Sequence, residues 1–275
     1  MNPVDMAGTA RKERSLPGAQ DRRFFIITAV VFIASAAVTV IWCASMSAME
    51  GMAMPGGWTM SMTWMRMPGQ TWLAAAMAFL GMWVVMMVAM MLPPLLPMLR
   101  RYRQAVVGIN TAHLDWLTAG VAVGYFAVWT LLGMAIFPLG VLFASLAMHV
   151  PALAGEVPML AGVVVLIAGA MQFTPWKMHH LNCCRHSLDH GCHLRPDGIT
   201  AWRHGLRLGL RCCYCCASQT AVLLAVGVMN PGAMVIVAAA ISAERLAPAG
   251  ERIARATGGV AIAAGAFMVM QSTGA

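Results

Sequence analysis

The sequence predicts an all-α, polytopic membrane protein of about seven transmembrane helices with a cytoplasmic N-terminus. Three observations predict it. The 275 residues are 60% hydrophobic and only 10% charged, whereas a soluble domain carries about 25% charged residues. The apolar residues fall into runs long enough to cross a bilayer. Lys and Arg gather in short clusters between those runs, as orientation by the positive-inside rule requires.

The first run is Phe24 to Cys43, preceded by Arg11, Lys12, Arg14, Arg22 and Arg23. Its length exceeds the 7–15 residues of a signal-peptide core, so it reads as a retained helix. Residues 1–23 read as a disordered cytoplasmic tail and 24–275 as a single membrane domain. The second run, Trp72 to Leu92, is followed by Arg100, Arg101 and Arg103. The third spans Leu117 to about Phe137, and the softer stretch Pro138 to Val150 reads as interfacial. Pro158 to Thr174 is a fourth, short by the ~20-residue criterion. The fifth covers about Leu206 to Met229 and the sixth about Pro231 to Leu246; Thr257 to Met270 is the last and shortest. With the N-terminus inside, every Lys and Arg except Arg66 is cytoplasmic and the C-terminus lies outside. The net charge of +8 is thereby assigned to membrane orientation. No nucleic acid is expected as partner, and the bilayer is.

Soft donors are concentrated in this chain, with 26 Met and 8 Cys. Met52 and Met54, Met60 and Met62, and Met65 and Met67 form three Met-x-Met pairs in the outer loop 44–71. Gly51, Pro55, Gly56, Gly57 and Pro68 interrupt any regular helix there, so helical core packing does not explain the pairs. Thioether sulfur selects Cu(I) over hard cations. It needs no deprotonation and forms no disulfide, which suits an oxidising compartment. In the second run Met82, Met86 and Met90 follow at i,i+4 steps; such a stripe is ordinary packing by itself, but Met86 and Met90 connect the outer loop to the inner side.

The cysteines fall on the other side. The cytoplasmic loop 175–205 carries His179, His180, Cys183, Cys184, His186, His190, Cys192 and His193, residue types that ligate Zn(II) and copper. Cys212, Cys213, Cys215 and Cys216 come next, near the inner end of the fifth run. On a helix Cys212, Cys215 and Cys216 face one point, as a metal site or a Cys-x-x-Cys redox pair would. Thiols thus sit where the cytoplasm keeps them reduced, and thioethers where thiols would oxidise. Glu244 is an ionisable group near the inner end of the sixth run, a functional candidate by its position or a local partner of Arg245.

The chain resembles an uncharacterised bacterial family of predicted metal-binding integral membrane proteins. The resemblance rests on Met82-Trp83, Met86-Met87 and Ala89-Met90-Met91-Leu92-Pro93, and on Gln172-x-Thr174-Pro175-x-Lys177. It continues in Cys215-Cys216, Gly227-Val228-Met229-Asn230 and Ala243-Glu244-Arg245-Leu246-Ala247-Pro248. The family's Cys-Leu-x-x-Cys-Arg is altered here, with His180 at the first Cys and Cys184-Arg185 at the second. The family's Trp or Asn with Leu-Met after the paired cysteines is Ala217-Ser218-Gln219-Thr220. The resemblance implies metal binding in a bacterial inner membrane.

Taken together, the residues predict a membrane protein that binds Cu(I), with zinc as the second metal the donor set admits. Copper uptake, transfer or delivery to a periplasmic copper protein or copper enzyme is the expected role. The alternative is a membrane thiol oxidoreductase using the Cys212–Cys216 cluster, which has no evident outer dithiol partner because Cys43 stands alone there. No Gly-x-x-x-x-Gly-Lys or Asp-Lys-Thr-Gly sequence is present, so energised export by this chain is not expected.

Overall fold

The computed structural model describes residues 19–47, 51–66, 69–106, 110–185 and 196–274. The predicted tail, apart from its last five residues, lies outside them. Among the described residues the elements in order are α1 (Ala19–Ser47), strands β1 (Met52–Met54) and β2 (Trp58–Met60), a 3-10 turn (Met62–Trp64), α2 (Trp72–Ala105), α3 (Thr111–His149), α4 (Pro151–Met171), α5 (Pro175–Arg185), α6 (Gly198–Val226), α7 (Pro231–Leu246) and α8 (Gly250–Ser272). Six helices are long and apolar enough to cross a membrane: α1, α2, α3, α4, α6 and α8. The protein is all-α, of the polytopic membrane class.

Polar side chains set the helix starts. Thr71, Asn110, Asp197 and Asn230 each accept a backbone N–H from the first turn of α2, α3, α6 and α7, satisfying donors that have no partner inside the helix. Pro151 and Pro231 occupy the first turns of α4 and α7, where a missing N–H costs nothing. Within α2, Pro93, Pro94 and Pro97 interrupt the backbone hydrogen-bond ladder.

Three spans differ from the sequence expectation. The softer stretch 138–150 is not a separate interfacial segment but the continuation of α3, which runs unbroken for 39 residues through Pro138. The last run is a full 23-residue helix, α8, because Gly250 to Ala256 extend it on the basic side. The short element is instead the sixth, α7, whose 16 residues rise only about 24 Å.

Small residues decide which helices touch. A Cβ on Gly205 of α6 would run into the Val121 carbonyl of α3, and one on Gly209 would come within 2.8 Å of the Tyr125 carbonyl. The order of these contacts makes α3 and α6 parallel. Between α4 and α8, Gly162 meets Gly265 and Gly169 meets Gly258, an antiparallel seam of the small-residue kind that brings membrane helices into close contact. Around this core an apolar belt faces outward, with Ile33, Ile41, Leu73, Val123, Leu131, Ile236 and Val260 all exposed. The buried core carries sulfur throughout α2, from Met82 to Met98.

Candidate metal centre

The predicted cytoplasmic loop 175–205 is largely helical, and this corrects the sequence reading. Pro175 starts α5 and Gly198 starts α6, so only the middle of the segment, 186–195, lies outside the described residues. His186, His190, Cys192 and His193 fall there. The helix splits the remaining donors by face. Lys177, Leu181 and Cys184, spaced i, i+4 and i+7, are buried. Cys183 and His179 pair on the outer face, with Cys183 Sγ 3.6 Å from His179 Nε2. His180 stacks on Tyr214 and lies edge-on to Trp176.

On α6, Gly205, Gly209, Cys212 and Cys216 share one face by helical spacing. The two glycines let α3 approach, and that approach delivers the Tyr125 hydroxyl to Cys212 Sγ at 2.8 Å. Cys212, Cys215 and Cys216 are all buried, whereas Cys213 is half-buried. Their sulfurs form a row. Cys215 Sγ accepts hydrogen bonds from Cys184, across the α5–α6 contact, and from Cys216. Cys216 Sγ lies 3.8 Å from Cys212 Sγ, the spacing that two sulfurs on one tetrahedral ion at about 2.3 Å would have. The bond to Cys215, with burial, holds the Cys184 thiol far above the usual thiol range.

Charged groups flank the row. Arg245 of α7 donates from one Nη to Cys212 Sγ at 2.9 Å and from the other to Met98 Sδ at 3.3 Å. Lys177 donates to the Cys215 carbonyl at 2.7 Å and to Glu244 Oε2 at 2.9 Å. Burial works against the Lys177 ammonium, but Cys215 and then the Glu244 carboxylate outweigh it and hold its pKa above the usual lysine value. Glu244 also accepts from Gln219, Gln172 and Thr257, so three further elements converge on it. These interactions supply the hydrogen bonds a buried charge needs.

Among the described residues no three His, Cys, Asp or Glu side chains already surround a single point as metal ligands do. The four sulfurs are strung side by side, and closing on an ion requires rotation of thiols that now bond to one another. The donor set itself suits a soft cation: four thiols, with one thioether brought beside them by Arg245.

Residues 80–268 match the model of the PpoB2 family, described as a copper chaperone. The chain belongs to the PpoB2 copper chaperone family. That makes it a protein of a copper-handling family, and the match covers α2 through α8 with every cysteine of the row. No curated protein and no solved structure matches the chain significantly.

The PpoB2 match begins after the Met-rich segment, in which residues 52–60 form a hairpin. Met52 pairs with Met60 and Met54 with Trp58, and Gly56 and Gly57 turn the chain with φ of 92° and 75°, backbone that side chains rarely adopt. Met-x-Met on a strand puts both sulfurs on one face, so Met52, Met54 and Met60 lie together. That face docks on the α3–α4 corner, where Trp58 Nε1 donates to the Ala154 carbonyl at 2.9 Å. Met60 is 1% exposed among Ala144, Ala147 and Ala154, with Met54, Trp58 and Met65 against it. Packing therefore does account for Met60, contrary to the sequence expectation, while Met52 is 42% exposed. Met67 and the Met62 side chain lie outside the described residues. Met86 and Met90 are both buried.

Sequence reasoning missed Tyr125, Met98 and the role of Arg245. The signals were there in part: Arg245 follows Glu244, a carboxylate at the end of an apolar run, and the glycine pair Gly205 and Gly209 extends the cysteine face of α6 toward the tyrosine's helix.

Proposed function

We propose that the protein holds Cu(I) on Cys184, Cys212, Cys215 and Cys216 within the membrane region, and that it passes the ion to a partner copper protein or enzyme. The observation that carries this reading is the charge around the sulfur row. Lys177 and Arg245 are positive and Glu244 negative, a balance of +1. With two of the four cysteines as thiolates and two as neutral thiols, bound Cu(I) carries −1, so the loaded centre is neutral, as a site cut off from water needs. Zn(II) on the same two thiolates would leave a net positive charge in the same surroundings.

The Met-rich segment 52–67 supplies the entry in this reading. Met52, Met54, Met62, Met65 and Met67 collect Cu(I) outside, in the orientation given by the basic clusters. Affinity rises from thioether to thiolate, so unaided flow runs inward along α2. In the redox alternative, a thiol has to meet a partner's dithiol. The burial of the four sulfurs and the donors on Cys212 favour ion binding over that exchange.

The test is Cu(I) competition with a chelator on the purified protein under reducing conditions. The Cys212→Ser, Cys215→Ser, Cys216→Ser variant should lose the tightest ion, since hydroxyls are poor Cu(I) ligands. Recovery of stoichiometric zinc and no copper from the wild type would overturn the copper assignment. Persistent disulfides among these positions in growing cells would favour the oxidoreductase.

A further inference from the structure

A second group of soft donors lies apart from the cysteine row. Cys43 near the end of α1, Met86 and Met90 of α2, and Met234 of α7 line one cavity of about 290 Å³. All four are at least nine-tenths buried. Apart from the hydroxyls of Thr39 and Ser242, the rest of the lining is hydrocarbon. Among the described residues no carboxylate, imidazole or ammonium lines it. We infer that this cavity is a second Cu(I) site, formed by the Cys43 thiolate with the thioethers of Met86, Met90 and Met234.

The chemistry selects the ion. A divalent cation bound by one thiolate and neutral thioethers would leave a net positive charge in a hydrocarbon pocket, at high cost. One Cu(I) with one thiolate is neutral. Entry of the ion displaces the Cys43 thiol proton, which leaves to bulk water, so binding releases one proton per copper. The cavity is larger than an ion, and the unbranched methionine side chains have the freedom to close on it. Met86 and Met90 are one helical turn apart and so present both sulfurs to one side. Along α2, Met86 precedes Met98 by twelve residues, roughly 18 Å, which sets this site on the hairpin side of the cysteine row. The cavity thus provides a station between the outer methionines and the inner thiols.

This inference rests on the copper assignment of the family but not on the four-cysteine row, and the experiment keeps the two separate. Purified full-length protein and variants are equilibrated with Cu(I) buffered by a chelator strong enough to strip sites made of thioether alone. Wild type should retain two ions per chain. Cys43→Ser should retain one, and so should the variant with Ser at 184, 212, 215 and 216; the combination should retain none. Because Cys43→Ser keeps the ion of the cysteine row, that ion reports that the variant is folded. Met86→Leu, Met90→Leu, Met234→Leu together should weaken the Cys43-dependent ion at least tenfold and leave the other unchanged. Equal stoichiometry in wild type and Cys43→Ser would overturn the second site. A Cys43-dependent ion indifferent to the three leucines would overturn its placement in this cavity.

Discussion

Arg245 donates to the sulfur of Cys212 at 2.9 Å, placing a guanidinium against a thiol in the middle of the helix core. A neutral thiol gains little from such a donor, but a thiolate gains a charge-assisted hydrogen bond. The same fork reaches Met98 Sδ, so one side chain orients a thiolate and a thioether together.

Arg245→Gln should therefore weaken Cu(I) binding at the cysteine row. Loss of a hydrogen bond to a charged group costs about 1.5–3 kcal/mol, or roughly a 10- to 100-fold fall in affinity. Arg245→Lys keeps the charge but not the two-pronged geometry, and should fall between. Chelator competition reads both, and unchanged affinity in Arg245→Gln would separate the arginine from the site.

Glu244→Ala leaves the Lys177 ammonium buried without its carboxylate partner. The expected loss of stability is about 3–5 kcal/mol, seen as easier denaturation in detergent. Adding Lys177→Met should recover most of it, since the uncompensated charge goes too. If the double variant is as unstable as the single, the cost lies in the Gln172, Gln219 and Thr257 hydrogen bonds.

Gly209→Ala tests how the helix seam sets the site. The added Cβ would stand 2.8 Å from the Tyr125 carbonyl, forcing α3 and α6 apart and drawing the tyrosine from Cys212. Overpacking of this kind costs about 1–3 kcal/mol, and the tightest Cu(I) should weaken with it. Gly81→Ala, where nothing lies within 4 Å of the new Cβ, should change neither property.

The hairpin separates packing from collection. Met60→Leu keeps volume and burial, so stability should change by less than about 1.5 kcal/mol, and copper dependence should not change. Replacing Met52, Met54, Met62, Met65 and Met67 with Leu should raise the external copper that cells need, and the defect should fade at high copper. Identical copper dependence of this variant and wild type would make the hairpin a packing element alone.

Much of this was legible in the chain. Hydrophobic runs bounded by arginine mark the helices, and the i,i+3 and i,i+4 spacing of Cys212, Cys215 and Cys216 puts them on one face. Cys184 was legible as a donor but not as a buried one. The segment 175–205 reads as a loop, whereas the stripe Lys177, Leu181, Cys184 makes a short helix with a buried side. Tyr125 and Met98 were out of reach because each meets the site only through tertiary packing, across the glycine seam and through the arginine fork. The length of α3 was missed because a run of lower hydropathy looks like an ending, although Pro138 is the only proline in it and the helix continues past it.

The three prolines of α2 have a mechanical meaning. Pro93, Pro94 and Pro97 withhold the N–H groups that would otherwise bond the carbonyls of Ala89, Met90 and Pro93. The helix is thereby jointed between its upper methionines and Met98. Two stiff rods meeting at a soft elbow can change their relative tilt without breaking a full ladder of bonds. For the proposed transfer along α2, such an elbow would let sulfur donors above and below it approach without an unbroken file of ligands between them.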